Sequence, residues 1–522
     1  MIDFQAGLLI ALLALAVPLV ALAKRLNVAY PIALVVGGLA LGFVPGLPKI
    51  QLDPNLVLLI FLPPLLYWEA ITAPIEIMRE NAGQIAVLAV GLVVVTTVAV
   101  ATLAHAIVAG MSWGAAFVLG AIVSPTDELA AVPVLERFRL PRHVIAIVDG
   151  ESLLNDAASL VIYATALTVV TTGQFDAANT ALHFVIVAVG SVVLGLMAGW
   201  LAIALWRRIK DPELQGAISL VLPFLAYFPA QHFQLSGVLA VVTAGVYVIR
   251  RTPRVLTPAS RRQTTGFWNT LVFVANAVLF LVVGLQLHDV AANAFTDYSW
   301  QFVLSVAVAA NVIVLIVRVS FVILAEYLPI AAPPDHAAPD WRNALVVAWS
   351  GLRGAISLAA ALAIPFALPS GIRFPHRDLI IFITFTVILV TLVGGGLSLP
   401  AVVRVLHIRS GNEDEDEMRD ALLTTYEAAL NRVAELEHEG RLDAAHAQAM
   451  RQSFEHRRDV QQQAKPDRVA HLDQYFDAEQ EVVAAQRDAL IEMRDSGDID
   501  NVVFRQLQAQ LDSAASRPSS RV

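Results

Sequence analysis

The sequence predicts an all-α polytopic membrane protein carrying a small helical tail. Three observations predict it. Of 522 residues, 57% are hydrophobic and 15% charged, where soluble domains carry about 25% charged residues. The apolar residues gather into runs of roughly 20, the length a helix needs to cross a bilayer. Charged residues crowd into the last hundred positions, so a membrane domain (1–409) is expected to precede a hydrophilic one (410–522).

Taken in order, the runs place about thirteen transmembrane helices, at roughly 4–23, 28–43, 52–68, 83–109, 112–135, 142–172, 180–206, 213–230, 235–249, 266–287, 301–325, 342–366 and 378–404. The first has no positive region before it and stops at Lys24-Arg25, so it reads as a retained span with its N-terminus outside, not a cleaved signal peptide. The eighth and ninth, around Val221 and Val241, are short. The loops check the count, because cytoplasmic loops carry the Lys and Arg. Alternate loops hold Lys24 and Arg25; Arg79; Arg137, Arg139 and Arg142; Arg207, Arg208 and Lys210; and Arg250, Arg251, Arg254, Arg261 and Arg262. Arg342, Arg404 and Arg409 fall on the same side, leaving Lys49, Arg373 and Arg377 outside. Adding or removing one span would scramble this alternation. An odd count puts the tail in the cytoplasm of a multi-pass plasma-membrane protein.

The net charge of −9 argues against nucleic acid as a partner. The absence of cysteine excludes disulfides, thiolate metal sites and cysteine nucleophiles. Neither a His-Glu-x-x-His nor a Gly-x-Ser-x-Gly motif is present, so an intramembrane hydrolase has no support, and the protein is expected not to be an enzyme. His105 and His183 sit near span edges and read as interfacial.

Charges within the spans are the informative residues, since each costs roughly 2.5–3.5 kcal/mol at mid-membrane. They are Glu69 in span three, Asp127 and Glu128 in span five, Glu151 and Asp156 in span six, Arg318 in span eleven and Arg353 in span twelve. Acids outnumber bases, which leaves room for a bound cation. Span six is densest, with Asp149-Gly150-Glu151-Ser152-Leu153-Leu154-Asn155-Asp156. Helical spacing sets Ser152 beside Asn155 and Asp156 and rotates Asp156 away from Glu151. Oxygens of Asp156, Ser152 and nearby carbonyls suit a small, hard monovalent cation.

Span five contains Ser124-Pro125-Thr126-Asp127-Glu128, where Pro125 should break the helix. Span twelve has its own interruption at Ser350-Gly351-Leu352-Arg353-Gly354. The two are seven spans apart, an odd offset that reverses orientation. Interrupted helices at matching places of inverted halves point to a transporter binding site.

At these residues the chain resembles the electroneutral sodium/proton antiporters of bacteria and archaea, relatives of the animal sodium/hydrogen exchangers. The likeness lies in Gly150-Glu151-Ser152-Leu153-Leu154-Asn155-Asp156, Ser124-Pro125-Thr126-Asp127 and Gly351-Leu352-Arg353-Gly354-Ala355, with Phe61-Leu62-Pro63-Pro64-Leu65-Leu66 followed by Glu69. It implies a homodimer with inverted repeats around two crossed, discontinuous helices. It implies that Asp156 holds either cation or proton, that Asn155 marks the electroneutral branch, and that Ser152 and the Thr126 backbone help ligate the ion. Asp127 would neutralise helix ends, Glu151 would pair with Arg318, Glu69 would line the inner access path, and Arg353 would sit near the span-twelve break. Glu128 departs from the family, which commonly has Pro or Ala there.

The function expected is electroneutral exchange of a monovalent cation, sodium or lithium first, for a proton at Asp156. Burial disfavours the ionised carboxylate and a bound cation favours it. No cofactor is required. Potassium/proton antiport is the nearest alternative. A cation channel is a further one, lacking any filter loop or repeated ring in the sequence. Past Ser410 an acidic run, Asn412 to Glu417, leads into amphipathic stretches around Ala421–Leu436, Val482–Met493 and Val502–Leu511, with Ser513 to Val522 expected to be disordered. This tail reads as a stability or assembly module, with regulation of transport as the alternative.

Overall fold

The computed structural model describes residues 2–26, 28–44, 54–128, 130–172, 177–328, 340–368, 370–408 and 413–462, with scattered positions from 482 to 508. Lys49, Arg409, the 513–522 terminus and most of the 502–511 stretch lie outside the described residues. Contacts divide the chain into two units, Met1–Gly411 and Asn412–Val522.

The first unit begins with α1 (Ile2–Leu26), α2 (Tyr30–Gly42), α3 (Pro54–Thr72) and the short α4 (Ile75–Glu80). Next come α5 (Ala82–Ala86) and α6 (Val93–Ile107), joined without a break by a π-helical turn, Val87–Leu92. Then follow α7 (Trp113–Val123), α8 (Val132–Arg137), α9 (Arg142–Thr172), α10 (Ala177–Arg208), α11 (Pro212–His232), α12 (Gly237–Ile249) and α13 (Thr252–Val255). The unit closes with α14 (Pro258–Asp297), α15 (Trp300–Glu326), α16 (Trp341–Trp349), α17 (Ala355–Leu362), α18 (Arg377–Leu389) and α19 (Gly396–Leu406), the last two joined by a second π turn, Val390–Gly395. Every interval expected to be a span contains a helix, and the fifth and twelfth contain broken pairs. Seven of the described helices are long and apolar enough to cross a membrane, and four more are apolar but shorter.

Local chemistry starts these helices where it should. Hydroxyls of Ser112, Ser236, Thr257 and Ser299, and carboxylates of Asp211 and Asp340, accept from backbone N–H groups of the first turns. The outward faces are apolar: along α10, Val185, Ile186, Val189, Val193, Met197 and Trp200 are exposed at helical spacing. The interior holds Glu151, Asn155, Asp156, Arg318 and Arg353, all buried. That inversion of the soluble-protein pattern is what hydrocarbon solvent selects.

One close approach fixes a helix pair. A Cβ on Gly284 of α14 would collide with the Val35 carbonyl of α2, and one on Gly38 would collide with the Leu281 carbonyl. The two backbones therefore touch, as small residues permit between membrane helices.

The second unit is described mainly by α20 (Glu413–His438) and α21 (Ala444–Gln462), an antiparallel pair. Gly440, at φ 67°, ends α20 in the left-handed conformation, with the Arg441 N–H returning 3.0 Å to the Leu436 carbonyl. Val433 and Ala447 are buried, and Arg451 reaches Glu437 at 2.6 Å.

Candidate functional site

Helices α7 and α16 both stop short, and their breaks meet. Among the described residues none is helical after Val123 until Val132, nor after Trp349 until Ala355. Pro125 lies in the first gap and cannot donate to the preceding turn. The Asp127 N–H donates across to the Leu352 carbonyl at 2.7 Å, tying gap to gap.

Each gap leaves orphaned helix-end groups, carrying partial charge, that the buried side chains satisfy. Arg353 Nε donates to the carbonyl of Val123, the last residue of α7, at 3.2 Å, and its Nη1 to the Gly351 carbonyl at 2.5 Å. Arg318 on α15 does the same for α16, with Nε 2.8 Å from the Ala348 carbonyl and Nη2 3.0 Å from that of Val347. The acid is at the opposite pole: the Asp127 carboxylate occupies the space where a side chain on Gly354, at the N-terminus of α17, would have to stand. Guanidinium groups thus face negative helix ends and a carboxylate faces a positive one.

Arg318 also grips Glu151 of α9, with Nη1–Oε1 at 2.5 Å and Nη2–Oε2 at 3.1 Å, both side chains 2% exposed. Thr126 Oγ1 donates to Glu151 Oε1 at 3.2 Å and accepts from Asn155 Nδ2 at 2.8 Å. Ser152 Oγ donates to the Thr126 carbonyl at 3.0 Å. The α9 face predicted from spacing therefore docks on the α7–α8 gap through Thr126.

In front of that seam lies a small cavity. Its walls are Glu69, Thr126, Asp127, Ser152, Asp156, Asn276, Gly354 and Ser357, with apolar Leu65 and Ile356. Free volume is about 10 Å³ to the centre of a water-sized sphere, room for about one water or one unhydrated small cation. Three carboxylates from three separate segments converge on it.

Of the predicted residues, Asp156, Ser152, Thr126, Asp127 and Glu69 come together at the cavity. Asn155 does not line it; it stands behind, bonded to Thr126, with Oδ1 buried and unbonded. Glu151 is likewise behind, held by Arg318. Glu128 is half-buried with one carboxylate oxygen buried and unbonded, and it is not a cavity wall. Arg353 is bonded to carbonyls on both sides of the crossing, and its backbone N–H donates to Thr391 in the second π turn at 3.2 Å. His105, expected to be interfacial, is exposed, with Nδ1 2.7 Å from the Met111 carbonyl and its ring stacked on Trp113. Asn276 and Ser357 escaped the sequence reading. Asn276 is a lone amide within an apolar run, a signal that was visible but unaccompanied by any second polar residue.

The comparisons agree with this architecture. The family model "Sodium/hydrogen exchanger, transmembrane" matches residues 8–405. An uncharacterized Na(+)/H(+) exchanger of Mycobacterium tuberculosis is 34% identical, covering 98% of this chain and 95% of that one. A sodium, potassium, lithium and rubidium/H(+) antiporter of Bacillus subtilis is 30% identical over 71% of this chain and 57% of its own. The solved sodium proton antiporter MjNhaP1 from Methanocaldococcus jannaschii superposes with a TM-score of 0.61 at 19% identity, over 76% of this chain and all of that one; at that identity it speaks for the fold alone. A membrane unit of broken, crossing helices, matched over nearly its whole length by one family model, places this chain in the sodium/hydrogen exchanger family: it is a membrane antiporter, not an enzyme.

Proposed function

We propose that the protein exchanges one monovalent cation for one proton at Asp156, by alternating access, without net charge transfer. The observation that carries this reading is a buried carboxylate, Asp156, facing a cavity sized for one unhydrated small ion, beside oxygens of Ser152, Thr126, Asp127 and Glu69. Such a carboxylate must be neutralised to remain buried, by a cation or by a proton. Competition between the two couples the opposing fluxes, and one-for-one exchange leaves the charge of each half-cycle equal. Asn155, in the adjacent position, adds no second ionisable group. Thr126 and Ser152 act as neutral ligands or hold them in place, Asp127 faces the α17 N-terminus, and Glu69 stands on the path to the inner side. No cofactor enters the cycle.

Sodium and lithium suit the hard oxygen set best. Potassium is a second reading, favoured by the Bacillus subtilis relative, whose name includes potassium and rubidium as well. We further propose that the helices make thirteen crossings of the plasma membrane with the N-terminus outside and the tail in the cytoplasm. Two copies would form a homodimer in the lipid.

The test is pH recovery in acid-loaded proteoliposomes on addition of NaCl, LiCl or KCl, with and without a potential clamp. Clamp-insensitive recovery with at least one cation, lost in Asp156→Asn, is expected. Full activity of that variant refutes the site, and clamp-sensitive recovery refutes the stoichiometry.

A further inference from the structure

We propose that Asn276 of α14 is a specificity-determining ligand of the transported cation; the proposal rests on the antiport reading above. Asn276 is fully buried, and nothing stands in full hydrogen-bond geometry to its Oδ1 or Nδ2, the Tyr30 hydroxyl being the polar neighbour that interacts with the amide from within the chain. Buried amides are nearly always paired, and those that are not point to a partner that is not part of the chain. Asn276 is also a wall of the same one-ion cavity as Asp156, Glu69 and Asp127, which is where such a partner would bind. Its sequence neighbours, Ala275 and Ala277, are buried and apolar, and Tyr30 of α2 can engage one of its two polar atoms, leaving the other for the ion.

The chemistry of an amide fits both halves of the cycle. Oδ1 is a neutral oxygen ligand for a hard cation. When the site is protonated instead, Oδ1 can accept from a carboxylic O–H, and Nδ2 remains a donor to a carboxylate or water. Because the amide is uncharged, it contributes to affinity without altering the one-for-one charge balance. Its position is also stiff. Two turns further along α14, Gly284 lies backbone to backbone against Gly38 of α2, so the ligand is carried by a locked helix pair. A ligand held in that way discriminates between ions by radius, as an adaptable loop would not.

The experiment uses the full-length protein in proteoliposomes, comparing Asn276→Leu with the unaltered chain over a concentration series of NaCl, LiCl and KCl. Leucine fills the same space and removes both polar atoms. The half-saturating sodium concentration should rise about tenfold, the affinity equivalent of one lost charge-assisted contact. The sodium-to-potassium preference should change, and the maximal rate should stay within about threefold, since the coupling carboxylate remains. Melting temperature in detergent should change little, because the amide makes no bond in full geometry within the chain, while the rise in melting temperature given by added sodium should shrink. Unchanged half-saturation for all three cations would overturn the proposal with the antiport reading intact. A lowered melting temperature in Asn276→Leu with the sodium-induced rise undiminished would also overturn it, by showing that the fold and not the ion uses the amide. An unaltered protein that exchanges none of the three cations would remove the antiport reading, and this one with it.

Discussion

Arg318 offers the sharpest test of how the crossing is held. Its guanidinium makes two bonds to Glu151 and one each to the carbonyls of Ala348 and Val347. Arg318→Met strands a buried carboxylate, at about 3–5 kcal/mol, and orphans the end of α16, at about 1–3 kcal/mol per carbonyl. Total destabilisation should therefore exceed about 5 kcal/mol, close to the whole stability of many proteins. Glu151→Gln is milder. Its amide oxygen still accepts from Arg318, and the remaining positive charge still faces the negative end of α16, so about 1–3 kcal/mol is expected. The double variant Glu151→Met/Arg318→Met removes the stranded charge and retains only the carbonyl cost, about 2–6 kcal/mol. It should be more stable than Arg318→Met alone. Equilibrium unfolding in mixed micelles, followed by circular dichroism, gives all four free energies. A double variant no more stable than Arg318→Met would refute the claim that the two side chains act as one unit.

Further outcomes can be checked alongside. Arg353→Leu removes the guanidinium from the Val123 carbonyl and should cost about 1–3 kcal/mol, read in the same unfolding assay, with exchange slowed because the gap of α7 loses its fixed geometry. Ser152→Ala deletes the bond to the Thr126 carbonyl and should cost about 1 kcal/mol while raising the half-saturating cation concentration in proteoliposomes. Gly284→Val drives a side chain into the Val35 carbonyl, so overpacking of about 1–3 kcal/mol or more is expected, with lowered yield of folded protein on size-exclusion chromatography. In the tail, the N–H of His446 donates to Asp443 at 2.7 Å and holds that carboxyl below its usual range. A depressed folded-state value means the contribution is present above about pH 4, the unfolded value, and is lost as pH falls through the lower folded one. Protection factors of the first α21 amides, corrected for the intrinsic pH dependence of exchange, should fall over that window, and should already be low at neutral pH in Asp443→Ala.

Much of this was legible in the sequence, for identifiable reasons. Hydrocarbon solvent enforces long apolar runs, so the interval expected at 142–172 coincides with α9, Arg142–Thr172. The short eighth and ninth runs also stand as α11 and α12. Pro125 and the Gly351–Gly354 pair announced the two gaps because backbone chemistry there is local. What local chemistry cannot show is the partner across space. Nothing near Arg353 in sequence identifies Val123 as its acceptor, and nothing near Asn276 identifies Asp156 as its companion at the cavity. The two π turns have no residue signature either; Thr391 acquires its role as acceptor for the Arg353 N–H only once the fold brings them together.

The exchange of caps between the two broken helices bears on how the chain is made. Val123 and the arginine that satisfies it are 230 residues apart, which at roughly 5–20 residues per second is roughly 10–50 s of synthesis. Through that interval the first broken helix sits in the bilayer with its end exposed, in a solvent that cannot hydrogen-bond to it. The nascent chain therefore needs water, lipid headgroups or an insertion factor to shelter one half until the other arrives. Truncations before Gly351 should be recognised by membrane quality control as unfinished, even though all their earlier spans are present.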